Sequence, residues 1–122
     1  MSRDVFVAGV GMIPFTKPGA SEPYPQMGAR AARLALEDAG IGYGSIDQAY
    51  VGYVYADSTA GQRVLYEIGM TGIPVLNVNN NCATGSSALY LARQAVAGGG
   101  AEKFVVDGDN TYGGRVLSLI HI

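Results

Sequence analysis

The feature that most constrains the fold is a regular alternation of strand-like and helix-like segments along the chain. Four short runs rich in β-branched, aromatic and other apolar residues predict strands, at residues 5–10, 48–55, 74–79 and 103–106. The segments between them predict helices at 26–39, 63–68 and 83–97. Continuous apolar runs suit strands covered on both faces, and strands that alternate with helices form mainly parallel sheets with right-handed crossovers. We therefore predict an α/β fold.

The predicted helix 83–97 is apolar on most of its sides. Arg93 and Gln94 are its strongly polar residues, and a helix with so little polar surface is normally covered on most sides. A chain of 122 residues has little with which to cover it. The helix therefore indicates a larger fold with an internal helical layer, or an extensive interface with a partner.

Composition and charge exclude several classes of partner. The chain has 48% hydrophobic and 15% charged residues, which is typical of a globular domain with a core. Its net charge is -2 and it has no run of Lys or Arg, which argues against binding to nucleic acid. The apolar run 5–10 is too short to span a membrane, and no signal-peptide cleavage pattern follows it. We expect no nucleic acid, no membrane span, and a cytoplasmic location, or a peroxisomal one in a eukaryote.

Single copies of cysteine and histidine limit the chemistry that the chain can perform. One cysteine, Cys82, excludes an internal disulfide and a CxxC metal site, so we expect no metal and a reducing compartment. His121 stands next to the last residue, and we assign it no catalytic role. Asp107 and Asp109 follow a predicted strand, where they could contact a ligand or form a turn.

The spacing Gly9-x-Gly11 is that of the first two glycines in a dinucleotide-binding motif. Pro14 stands where that motif has its third glycine, and no acidic residue follows at the expected distance. We therefore interpret the two glycines as part of a tight turn after the first strand.

Cys82 lies where the third predicted strand meets the helix 83–97. The first turn of a helix presents free backbone N–H groups and a partial positive charge, which favour the reactive thiolate. That turn contains no Asp or Glu, and Ala83 and Gly85 leave room for a substrate beside the sulfur. The N–H group of Cys82 could also donate to an oxyanion. The alternative is a buried, inert cysteine, and since no base is identified the residues alone leave both interpretations open.

Asparagines alternate along the approach to Cys82. Asn77, Asn79 and Asn81 share one face of an extended segment, and Asn80 takes the other face. Asn81 is also a candidate N-cap for the following helix. The set forms either an amide network that fixes the cysteine loop or a polar turn with local hydrogen bonds, and both interpretations stay open.

Residues 69–89, GMTGIPVLNVNNNCATGSSAL, closely resemble the nucleophile region of sterol-carrier-protein-type thiolases. Residues 51–63, VGYVYADSTAGQR, and residues 7–12, VAGVGM, resemble the same family, so the likeness extends from about residue 5 to about residue 106. The resemblance implies a thiolase-like fold, in which two similar βαβαβαββ halves form five αβαβα layers with helices buried in the middle. This chain would hold an incomplete N-terminal half, which would account for the apolar helix.

The resemblance also implies a function. A thiolase cleaves a 3-ketoacyl-CoA with coenzyme A, or runs the reverse condensation, through an acyl-cysteine intermediate. Cys82 is the implied nucleophile, and Asn79, Asn80, Asn81 and Gly85 are candidates for supporting roles. Coenzyme A would be a co-substrate, with no permanently bound cofactor, and the full-length protein would be a homodimer with the strand before Cys82 near its interface. The alternatives are a β-ketoacyl synthase-type condensing enzyme and a non-catalytic lipid-transfer relative.

The likeness ends after Val106. Where the family pattern has Gly-x-Glu-x-Met, residues 108–112 read GDNTY, and residues 116–122, VLSLIHI, have no recognised counterpart. We therefore divide the chain into a partial thiolase N-terminal domain, 1–114, and an atypical tail, 115–122, interpreted as foreign residues that end a truncated reading frame. The family's Gly-His-Pro histidine and its Cys-x-Gly second cysteine do not occur in this segment. We expect the 122-residue chain to be inactive alone and doubtful as a stable monomer.

Overall fold

The computed structural model describes residues 3–17, 19–110 and 115–121, with side chains for 3–17 and 19–103. Its elements occur in the order βαβαβαββ, the order that the family resemblance implies for one half of the fold. The strands are β1 (Val7–Met12), β2 (Gln48–Gly52), β3 (Val75–Val78), β4 (Phe104–Asn110) and β5 (Arg115–His121). The helices are α1 (Tyr24–Ala39), α2 (Ala60–Leu65) and α3 (Thr84–Ala97), with a short 3₁₀ helix at Tyr43–Ser45.

The five strands form one mixed sheet in the order β1-β5-β4-β2-β3. β2 lies between β4 and β3 and is parallel to both, whereas β5 is antiparallel to its neighbours β1 and β4. The carboxyl ends of the three parallel strands therefore lie at one edge of the sheet. In open α/β sheets this edge is where ligands bind.

Two cores form on opposite faces of this sheet. Successive side chains of β2 point to opposite faces, as the pleat of a strand requires. Ala49 and Val51 pack with α1 and α2 in one cluster, whereas Tyr50 packs with α3 in the other. The result is three layers, with α1 and α2 on one side of the sheet and α3 on the other.

The glycines of β1 lie against the backbone of α1. A Cβ atom on Gly9 would lie 2.5 Å from the Ala35 carbonyl oxygen, and one on Gly11 would lie 2.4 Å from the Ala31 carbonyl oxygen. Two residues advance a strand by about 6.7 Å and four residues advance a helix by about 6 Å, so the two spacings match along the contact. The interpretation of these glycines as a tight turn is wrong, because both belong to the strand itself.

Within residues 3–17 and 19–103, the side chains of α3 are buried on one side of the helix only. A stripe with the spacing i, i+4, i+8, i+12 is buried against the sheet; it consists of Thr84, Ala88, Ala92 and Val96. Tyr90 and Leu91, away from that stripe, are exposed. The sequence predicted that α3 is covered on most of its sides. The described residues cover the side that faces the sheet, in agreement with an incomplete fold.

The structure corrects several predicted boundaries. β4 continues to residue 110, beyond the predicted end at 106, so Asp107 and Asp109 are strand residues and their interpretation as turn formers is wrong. Residues 115–121, assigned to an atypical tail, form β5 within the sheet, hydrogen-bonded on both sides. Antiparallel pairing with two neighbours gives this β-prone segment partners for its backbone groups. The boundary at residue 114 and the foreign origin of the tail stay predictions.

We predict that Gly11→Ala destabilises the fold by about 3 kcal/mol, because the new methyl group would meet helix backbone, which cannot move aside as a flexible side chain can. Gly44→Ala is the matched control, since nothing lies within 4 Å of the added carbon and its φ is not positive. The control should change the free energy of unfolding by less than about 1 kcal/mol. Urea denaturation measures both variants, and equal stabilities would contradict the close contact.

Candidate active site

Cys82 lies at the carboxyl edge of the sheet, on two overlapping turns that join β3 to α3. In the first turn, the Ala83 N–H group donates to the Asn80 carbonyl oxygen at 3.0 Å. In the second, the Thr84 N–H group donates to the Asn81 carbonyl oxygen at 3.2 Å. Cys82 is a central residue of both turns and its side chain is exposed. The alternative of a buried cysteine is therefore wrong for this structure.

The first turn requires an unusual backbone conformation at Asn81. Its φ is +50°, in the left-handed region that asparagine enters more readily than most residues. The predicted N-cap role of Asn81 is wrong, because Ala83 holds the N-cap position and no side-chain hydrogen bond caps the helix. The Cys82 sulfur lies 3.9 Å from Asn81 Oδ1, within reach of a weak S–H donation.

Asn79 and Asn80 connect the turns to their surroundings. Asn79 Oδ1 accepts from the Asn81 N–H group at 3.3 Å, and its Nδ2 lies 3.5 Å from the carbonyl oxygen of Val54. Asn80 Nδ2 donates to Ser87 Oγ, one turn into α3, at 2.8 Å. The two side chains thus contribute both the local turn hydrogen bonds and the longer amide contacts between which the sequence left the choice open.

Asn77 serves a different part of the structure. Its Oδ1 accepts from the Gly61 N–H group at 2.6 Å, and its Nδ2 donates to Gln62 Oε1 at 2.8 Å. Gln62 Nε2 in turn donates to the Val75 carbonyl oxygen at 3.1 Å. This network joins α2 to β3 on the face opposite α3. The structure therefore separates Asn77 from the other asparagines of the run.

Thr84 and Gly52 fix the start of α3 on the end of β2. Thr84 is 3% exposed, and it is the one polar side chain that is buried within residues 3–17 and 19–103. A Cβ atom on Gly52 would lie 2.3 Å from Thr84 Cγ2 and 2.9 Å from its carbonyl oxygen. This pair was not predicted from the sequence. The one signal available was the position of Gly52 inside a run of β-branched and aromatic residues. Gly85 follows in the first turn of α3 and is half-buried.

Comparisons with known proteins identify the family. The family described as "Thiolase, N-terminal domain" matches residues 5–113. The chain belongs to this family. Sterol carrier protein 2 from Homo sapiens is 60% identical over 103 residues, which cover 82% of this chain and 19% of that protein. A benzoylsuccinyl-CoA thiolase subunit from Thauera aromatica is 38% identical over 84% of this chain and 26% of its own length.

Solved structures confirm the thiolase-like fold. The 3-oxoacyl-[acyl-carrier-protein] synthase III from Aquifex aeolicus has a TM-score of 0.85 over 97% of this chain and 53% of its own, at 13% identity. The acetyl-CoA acetyltransferase from Syntrophomonas wolfei has a TM-score of 0.81 over 88% of this chain and 29% of its own, at 24% identity. At such identities the likeness concerns the fold alone. The thiolase domain described here spans about a fifth of the sterol carrier proteins that it matches.

The histidine of this thiolase domain lies far from Cys82. His121 pairs with Phe104, the first residue of β4, and with Val7, the first residue of β1. It therefore stands at the edge of the sheet opposite the carboxyl ends of the parallel strands, where Cys82 lies. This placement supports the expectation that His121 has no catalytic role at Cys82.

The tyrosines with shifted pKa values lie on the α1 and α2 face. Burial raises the pKa of Tyr43 above its usual value. Burial also raises the pKa of Tyr24, whose hydroxyl lies 3.4 Å from Asp57 Oδ2, and Arg63 partly offsets this rise. Asp57 forms a salt bridge with Arg63. Both tyrosines pack against the core cluster on that face, away from the loop of Cys82.

The described part of the chain offers neither a metal site nor a membrane helix. Within residues 3–17 and 19–103, no three His, Cys, Asp or Glu side chains are grouped as metal ligands. Over the same residues, no helix has the length and apolar character needed to cross a membrane.

We predict that Gly52→Ala displaces the first turn of α3, because the added methyl group and Thr84 cannot occupy the same space. The expected loss is about 2 kcal/mol of unfolding free energy, with shifted NMR signals for the loop of Cys82. Gly69→Ala is the control, since its added carbon would meet only the Tyr43 ring at an ordinary 3.5 Å. A Gly52→Ala protein with unchanged loop signals would show that the contact does not position the cysteine.

Proposed function

We propose that this chain is the nucleophile-bearing part of an acyl-CoA thiolase, and that Cys82 accepts the acyl group. The observation that carries the proposal is an exposed cysteine held on hydrogen-bonded turns at the start of α3, at the carboxyl edge of the sheet. A nucleophile must be accessible and must be presented in a defined direction, and this loop provides both. Membership of the thiolase family supports the same role.

In the proposed reaction the Cys82 thiolate attacks the keto carbon of a 3-ketoacyl-CoA. The carbonyl electrons move to oxygen, and the N–H group of Cys82 is a candidate donor to the resulting oxyanion. Collapse of this intermediate breaks the bond between C2 and C3 and leaves the acyl group, shortened by two carbons, on sulfur as a thioester. The other product is the enolate of acetyl-CoA, which takes up a proton. The thiol of coenzyme A then attacks the acyl-cysteine, which releases the shortened acyl-CoA and restores Cys82.

Among residues 3–17 and 19–103, no His, Asp or Glu side chain forms a hydrogen bond with the loop of Cys82, the proposed nucleophile. The described cysteine loop is built from amide, hydroxyl and backbone groups, and His121 stands at the opposite edge of the sheet. We therefore propose that the histidine and the second cysteine that the resemblance implies belong to the remainder of a longer protein. The names of two relatives, a benzoylsuccinyl-CoA thiolase and an acetyl-CoA acetyltransferase, support coenzyme A esters as substrates.

We also propose an oligomeric state and a cellular location for the full-length protein. β3 is an edge strand of the described sheet, with a neighbour on one side only, so a second copy of the protein could pair with it. This placement supports the homodimer expected from the resemblance, and sedimentation of a monomer at micromolar concentration would argue against it. We retain the cytoplasmic location, or the peroxisomal one in a eukaryote, as part of the proposal, to be checked by imaging a tagged protein.

A non-catalytic lipid-transfer role is the second candidate. It is favoured by relatives named sterol carrier protein 2 and by a lipid-transfer-like protein from Caenorhabditis elegans, which is 47% identical over 80% of this chain. A lipid carrier would bind an acyl chain without forming a bond to sulfur. The two roles therefore differ in whether Cys82 carries a covalent acyl group.

We predict that the intact protein forms an acyl thioester at Cys82 when it is mixed with 3-ketoacyl-CoA, detected as an added acyl mass on the peptide that contains Cys82. Cys82→Ala should abolish the adduct and lower thiolysis by more than about a thousandfold, because the group that carries the acyl chain is gone. Normal lipid binding by Cys82→Ala would show that the fold is intact. Full thiolysis by that variant would refute the proposed role of Cys82.

A further inference from the structure

We propose that Thr84 is a positioning residue for Cys82, and that its hydroxyl group sets the place of the cysteine loop by linking it to the end of β2. The inference rests on the proposed role of Cys82 as nucleophile and adds to it a residue two positions further along the chain. It assigns Thr84 no contact with substrate.

The hydroxyl group of Thr84 has two hydrogen-bond partners, and both lie outside its own helix. It accepts from the Asn80 N–H group at 2.8 Å. It lies 3.4 Å from the carbonyl oxygen of Tyr53, the residue that follows β2, to which it can donate. A helix-capping hydroxyl would accept from an N–H group of the first turn of its helix. The Thr84 hydroxyl instead joins two strand ends, so it acts as a link between the sheet and the loop.

The methyl group of Thr84 has a second, separate function. It lies on the bare backbone of Gly52, with no space for a Cβ atom between them. This contact fixes the distance of α3 from β2, whereas the hydroxyl group fixes the loop. Threonine is the residue that carries both groups on one carbon; serine keeps the hydroxyl and alanine keeps neither.

The link reaches Cys82 through Asn80. Asn80 is held at its N–H group by Thr84 and at its side-chain amide by Ser87. Its carbonyl oxygen accepts from the Ala83 N–H group and closes the turn that carries Cys82. Loss of the hydroxyl group would leave the half-buried Asn80 N–H group without its acceptor, which favours a rearranged turn. Because acyl transfer depends on the direction of attack, such a rearrangement should slow the reaction more than it slows simple alkylation.

The test compares Thr84→Ser with Thr84→Ala, which share the loss of the methyl group and differ only in the hydroxyl. Three quantities are measured for each: amide exchange at Asn80, the rate of acyl transfer from 3-ketoacyl-CoA to Cys82, and the rate of Cys82 alkylation by iodoacetamide. In Thr84→Ala we expect exchange at Asn80 to rise by about tenfold and acyl transfer to fall by about tenfold relative to Thr84→Ser. Alkylation should differ between the two by less than about twofold, because it needs only an accessible thiol.

Ser86→Ala provides a control for removing a hydroxyl from the same turn of α3, since Ser86 is exposed. It should leave exchange at Asn80 unchanged. Equal acyl transfer in Thr84→Ser and Thr84→Ala, or equal exchange at Asn80, would overturn the inference. If the parent protein forms no acyl-cysteine at all, the proposed function fails, and the exchange comparison still decides whether the Thr84 hydroxyl holds the loop.

Discussion

Direct contact between glycine backbone and helix is the constraint on which this structure depends. On one face of the sheet, Gly9 and Gly11 let α1 lie against β1 with no side chain between them. On the other face, Gly52 lies against both the methyl group and the backbone of Thr84 at the start of α3. Such contacts are short and stiff, because backbone atoms cannot change rotamer to relieve an overlap. They set the positions of both helical layers relative to the sheet more tightly than contacts between flexible side chains would.

One of these contacts determines the position of the loop that carries Cys82, residues 79–83. Gly52, at the end of β2, leaves space for the Thr84 side chain. The Thr84 hydroxyl group in turn accepts a hydrogen bond from the Asn80 N–H group. Each step joins residues that are far apart in the chain or in different elements, so the loop is tied to the sheet and to the helix together. A loop tied at both ends loses less conformational entropy when a substrate binds than a free one does. This is the physical advantage of placing a cysteine between a strand and a helix rather than on a surface loop.

The sequence was sufficient for the order of elements from β1 to β4 and for the place of Cys82 between β3 and α3. Local propensity and apolar runs carry that information, because they report which backbone groups pair locally and which faces are buried. They do not indicate which distant residue packs against a given strand or helix. Nothing near Gly52 in the chain indicates Thr84, which stands 32 positions later, and nothing near Gly9 indicates the alanines of α1. The tight-turn interpretation of β1 failed for this reason.

β5 was not among the four strands predicted from the sequence. The run VLSLIHI has clear β-propensity, and residues 115–121 lie between β1 and β4 in the sheet. Local propensity therefore indicates this strand even though the run has no recognised family counterpart. The assignment of residues 115–122 to an atypical tail of foreign origin stays a prediction.

The side of α3 that faces away from the sheet carries exposed apolar residues. Tyr90 is 59% exposed and Leu91 is 36% exposed, on a helix whose opposite stripe is fully buried. Exposed apolar surface of this kind is stabilised by cover, and the five-layer architecture that the resemblance implies has a second helical layer at that place. Cys82 precedes the first turn of the same helix. The element that covers α3 would therefore also border the loop that carries Cys82, and under the proposed function it is a candidate to carry the base for that residue.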